Sequence, residues 1–150
     1  MHEKLHSLES QNKNEQDLLE FITAIFQDTD LYENSVEVKG YLITFKLPSY
    51  SDMREVEKLL ADAVINKTTK TKKEFLSLKS LYRIAITLKS ISKDGKIIFE
   101  NKIGSVQNRA NILSSFIRTD VLFKLLSRLS LKFEKKIKEY LAEVTSKDFF

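Results

Sequence analysis

Phosphate-binding chemistry is the first that the residue types of this chain raise. Lys67, Lys70, Lys72 and Lys73 fall in one short polar segment, and Lys135 and Lys136 sit in a basic stretch near the end with Arg128, Lys132 and Lys138 close by. Ammonium groups gathered in space neutralise phosphates, so these six lysines define a nucleic-acid reading of the chain. The competing reading is a solvated loop and the charged side that a long helix needs. Asp28, Asp30 and Glu33 form the second cluster, of hard-cation type. They lack the Asp-x-Asp-x-Asp-Gly loop with its closing Glu, so a turn that ends a helix accounts for them better and no metal is expected. Ser and Thr are plentiful, but a hydroxyl nucleophile needs a base, and the two histidines are His2 and His6, at the very start. There is no Cys, which excludes a thiolate nucleophile and a Cys-based zinc site, and Gly40, Gly95 and Gly104 are too few for a phosphate-cradling loop. The expectation is therefore a protein that works by binding, with no catalytic residues and no cofactor.

The elements that must position these residues follow from apolar spacing. Leu18, Leu19, Phe21, Ile22, Ile25 and Phe26 recur at helical intervals, giving an amphipathic helix over about residues 15–28 with Glu15 and Asp17 in its first turn. Residues 36–47 alternate apolar and polar on both sides of Lys39-Gly40, which reads as a β-hairpin. Pro48 ends its second strand, and Ser49 or Ser51 caps a helix that runs to about Ile65. After the basic connection of residues 67–73, a strong helix is expected from Glu74 to Ile91, then a turn at Asp94-Gly95 and a short apolar run, Ile97-Ile98-Phe99, of minor-strand type. Ser105 opens one further helix, and Thr119 caps a long Leu-rich one to about residue 144.

At 150 residues and 42% hydrophobic, the chain has enough apolar surface for one core. The expected class is α+β, mostly helical, a single domain with one β-hairpin in its N-terminal half. Within it, residues 1–34 form an N-terminal tail and amphipathic helix, and residues 35–150 a hairpin-plus-helices unit. No apolar run is long enough to span a membrane and no signal-peptide core opens the sequence, so an intracellular protein with no membrane partner is expected. Charge is unevenly divided. Residues 1–66 carry 6 Lys/Arg against 13 Asp/Glu, net −7, and residues 67–150 carry 19 against 8, net +11, which together give the overall +4. Either the halves attract each other inside one fold, or each meets a different partner.

The hairpin ending in Leu47-Pro48-Ser49, the helix opened by Ser51-Asp52, the run from Leu81 to Ile91, the Lys93-Asp94-Gly95-Lys96 turn and the final Leu-rich helix follow an order. That order resembles the tail and baseplate assembly proteins of tailed bacteriophages, including tail assembly chaperones. The resemblance covers roughly residues 36–144. It implies a non-enzymatic structural or assembly protein, in the virion or the host cytoplasm, that binds other protein subunits or its own copies through hydrophobic helix faces. The residues expected to meet such partners are Phe21, Ile22, Ile25 and Phe26 on the first helix and Phe149 and Phe150 at the C-terminus. A small basic nucleic-acid-binding regulator is the alternative.

Overall fold

Two tight turns shape the sheet. Lys39 and Gly40 have φ of 49° and 86°, and Asp94 and Gly95 have 52° and 79°. Two-residue loops with positive φ at both positions twist in the sense that antiparallel strands need, and glycine takes that conformation without a Cβ clash. The first turn joins β1 (Glu33–Val38) to β2 (Tyr41–Lys46), and the second joins β3 (Leu88–Lys93) to β4 (Lys96–Glu100). The computed structural model, which describes residues 15–26 and 32–146, pairs the two hairpins through β2 and β3 with Ile43 opposite Ile91 and Thr44 opposite Ser90. One antiparallel sheet of order β1-β2-β3-β4 results.

Residues 15–26 form helix α1. Between the hairpins lie α2 (Tyr50–Ile65) and α3 (Lys72–Thr87), and after the sheet come α4 (Val106–Phe116) and α5 (Asp120–Ser146). Hydroxyl caps start all four of these later helices. Ser49, Thr71, Ser105 and Thr119 accept from the amides of Asp52, Glu74, Asn108 and Leu122, filling valences that the first turn leaves open. At the C-terminus of α2 the Lys67 amide donates to Val64 O and the Thr68 amide to Ala63 O, a Schellman closure that puts Lys67 at φ 53°. Lys67 stands there where glycine is usual, so its basic side chain sits on a locally strained backbone.

The expected helix from Glu74 to Ile91 is corrected at both ends. It begins at Lys72, and it stops at Thr87, with Leu88 already the first residue of β3. The stop is made by a distant residue. Asn101 Nδ2 donates to Ala85 O at 2.6 Å and to Leu88 O at 2.8 Å, while its amide donates to Lys89 O, so carbonyls released by the end of the helix are satisfied from the far side of β4. Thr87, fully buried, places its hydroxyl 2.7 Å from Arg83 O and 3.0 Å from Ser130 Oγ on α5. The expected single hairpin becomes two, and Ile97-Ile98-Phe99 lies in a strand, as its apolar run predicts.

The core is one cluster, drawn from α1 (Phe21, Ala24), the sheet (Ile43, Phe45, Leu88, Ile91, Phe99) and α3, α4 and α5. The molecule is a mostly helical α+β domain. Aromatic rings tie its layers together: Tyr32 stacks on Phe133 at 5.9 Å, meets Phe21 edge-on at 5.5 Å and Tyr140 edge-on at 5.9 Å, and Phe45 stacks on Phe133 at 5.7 Å.

The opposite charges of the two halves meet in part within the fold. Asp17 pairs with Lys136, Glu33 with Lys89 and Asp52 with Arg109, each an acid from residues 1–66 with a base from residues 67–150. The third pair is the most enclosed, with the Arg109 side chain 7% exposed and Asp52 20%. One turn along α2, Glu55 accepts from the Val106 amide at 3.0 Å, so two carboxylates of α2 hold the start of α4. Asp52→Ala leaves a buried guanidinium uncompensated and is expected to cost about 3 kcal/mol. Chemical denaturation checks it, and Arg109→Met in the Asp52→Ala background should recover most of the loss.

Candidate partner-binding site

An apolar cleft of about 440 Å³ opens between α1, the β2–α2 junction and α5. Its lining includes Phe21, Ala24 and Ile25 from α1, Leu47, Pro48, Tyr50 and Met53 from the junction, and Ile137 and Leu141 from α5, with Glu134 and Lys138 its only charged members among the described residues. Each wall has a local cause. Helical spacing puts Phe21 and Ala24 on the inward side of α1 with Ile25 at their edge, and Pro48, which cannot extend the ladder, turns the chain so that Tyr50 and Met53 start a helix beside it.

The expected α1 residues divide by depth. Phe21 is 1% exposed and spends its ring on Tyr32 and Tyr140, 5.5 Å away in each case, so it forms the floor of the cleft and not a contact surface. Ile22 is half-buried, Ile25 is 41% exposed and Phe26 is 83% exposed. Phe149 and Phe150 lie outside the described residues, as do Asp28 and Asp30. Around the cleft Tyr50 (65%), Met53 (42%) and Leu141 (44%) are also exposed. These three were not legible as site residues, because Tyr50 and Met53 come from α2 and Leu141 from α5, and only the fold brings them beside Ile25. An aromatic ring one residue after a strand-ending Leu-Pro-Ser was the one available signal.

The six lysines separate. Lys67 is held at the strained α2 terminus, the Lys70 amide donates to Glu74, and Lys136 pairs with Asp17 and lies over the Tyr140 ring at 5.6 Å. Lys72, Lys73 and Lys135 instead share a groove between α3 and α5. Glu33, from the acidic cluster, is paired with Lys89. Among the described residues no group of three His, Cys, Asp or Glu is placed to hold a metal ion, and no helix is long and apolar enough to cross a membrane. A third cavity, of about 870 Å³ between α2, α3 and α4, is lined by Leu59, Leu78, Leu81 and Tyr82 among others; burial raises the Tyr82 hydroxyl, which donates to Gln107 Oε1 at 3.1 Å.

Beneath the cleft floor, the Tyr32 hydroxyl is buried without a hydrogen-bond partner. Burial pushes its pKa well above the ordinary tyrosine value, and the neighbouring Tyr140 and Asp17 add to the rise. A group whose pKa is higher when folded gives stability that is complete below its unfolded pKa of about 10 and is lost as pH rises beyond it. Tyr32→Phe keeps the ring contacts and removes the stranded hydroxyl. It is expected to raise stability by about 1 kcal/mol at neutral pH and to lose less of it than the parent between about pH 9 and 11, as thermal melting at both pH values will show.

No family model, no curated protein and no solved structure matches this chain.

Proposed function

We propose that this protein is a non-enzymatic assembly protein that holds another subunit of a multi-protein complex in the cleft between α1, α2 and α5. The bound element is an amphipathic helix of that subunit. The observation that carries the reading is the continuity of exposed apolar groups from cleft to surface: Ile25, Tyr50, Met53 and Leu141 at the opening, and Phe26 next to Ile25 on α1. A small molecule would fill the cleft, yet would leave Phe26 and Tyr50 in water and would find few polar groups to orient it. A partner helix covers both, with apolar side chains in the cleft and its flanks on the surrounding residues, and aromatic residues and Met are the types enriched where proteins meet.

The absence of Cys and the placement of both His in the first six residues support a binding role over catalysis. The order of motifs that resembles phage tail and baseplate assembly proteins points the same way, to a subunit of a virion-building complex. Phe26→Asp and Met53→Asp are the test. Each places a carboxylate on exposed apolar surface, so melting should stay within about 0.5 kcal/mol of the parent. Affinity for subunits recovered with the tagged protein should fall at least tenfold and show little dependence on salt, measured by titration calorimetry. Binding that survives both substitutions, or that collapses at high salt alone, would remove the cleft from the assignment.

A further inference from the structure

The groove between α3 and α5, about 780 Å³, shares no lining residue with the apolar cleft. Lys72 and Lys73 reach it from α3 and Lys124, Arg128, Lys132 and Lys135 from α5, and among the described residues no acidic side chain lines it. Lys124 pairs with Asp120; the other five have no carboxylate within ion-pair distance among the described residues. Like charges gathered on facing helices repel, and the fold adds to the cost at one end. Lys72 and Lys73 occupy the first turn of α3, where the aligned peptide dipoles already present positive charge and a cation is disfavoured. Glu74 stands in the same turn and accepts from the Lys70 amide, yet it makes no ion pair with either lysine, so two cations remain where the local rule disfavours them, as happens at functional sites.

We infer that this groove binds the phosphate backbone of single-stranded nucleic acid. The spacing fits a repeating anion: residues 124, 128 and 132 recur every fourth position, so a rise of 1.5 Å per residue sets positive charge along α5 at about 6 Å intervals. Hydroxyl-bearing residues lie between the charges, Ser77, Ser80 and Ser127. Serine hydroxyls and basic side chains together are the usual donors to phosphate oxygens. Leu76, Phe123 and Leu131 complete the lining with apolar surface, on which unstacked bases can rest as they do in other positively charged single-strand grooves. This site would let one subunit hold a protein and a nucleic acid on separate surfaces.

Fluorescence anisotropy of the full chain with labelled oligothymidylate and oligouridylate tests it. The five unpaired cations predict a slope of log K against log salt of about −3.5, at roughly 0.7 per phosphate contact on a single strand, and a dissociation constant of about 1–100 µM near physiological salt. Arg128→Gln with Lys132→Gln should weaken binding at least tenfold and flatten the slope by about 1.4, whereas Lys58→Gln with Lys102→Gln, which removes equal charge outside the groove, should change affinity less than twofold. Melting curves of both double variants should overlay the parent. Absence of binding at about 50 mM salt, equal loss in the two double variants, or equally tight groove-dependent binding of polyglutamate would overturn the inference, the last by making the groove a site for an acidic protein.

Discussion

The architecture depends on a change of backbone conformation between adjacent residues, from helix at Thr87 to strand at Leu88. A helix that ends in the core strands its last carbonyls, and burial makes each of them costly unless a donor arrives. Asn101 supplies it from beyond β4, so the closing of the second hairpin and the ending of α3 are one event. With α3 stopped there, Leu88 and Ile91 turn inward against Phe45 and Ile43, and the two hairpins become one sheet. Had the helix continued to Ile91, β2 would be an open edge and β4 would have no neighbour.

This same junction shows why the sequence was legible in some places and closed in others. The Lys39-Gly40 and Asp94-Gly95 turns, the caps at Ser49, Ser105 and Thr119 and the strand at Ile97–Phe99 all announce themselves within a few residues, because their causes are local. Leu88 to Ile91 carries apolar spacing that suits a helix or a strand, and the donor that decides between them lies at position 101. Lys72 and Lys73 read as loop residues for a similar reason. Thr71 and Glu74 form a capping pair around them that can be recognised only once the helix is granted an earlier start.

The sites follow the same division. The apolar face of α1 was visible as a stripe, but which of its residues face a partner depends on depth, and Phe21 is taken by Tyr32 and Tyr140. Sequence proximity grouped Lys67 and Lys70 with Lys72 and Lys73, and Lys136 with Lys135. The fold separates Lys136 from Lys135 by the direction in which α5 projects its side chains, one residue of rotation being about 100°, and it separates Lys67 and Lys70 from Lys72 and Lys73 because the first two lie in the connection before α3 begins. Charge balance was half legible: three acids of the first half do meet bases of the second, and the excess of cations collects along α3 and α5.

Pairing of β2 with β3 joins Phe45 to Leu88, and the whole of α2 and α3 lies in the loop between them. Closing so long a loop is entropically costly, and it becomes favourable only when its contents pack against one another and against the strands. The sheet thus has no stability to offer ahead of the helices, nor α3 an end ahead of the sheet. Cooperativity is built into the order of the chain, and a disturbance on either layer is transmitted to the other as a loss of the common folded state.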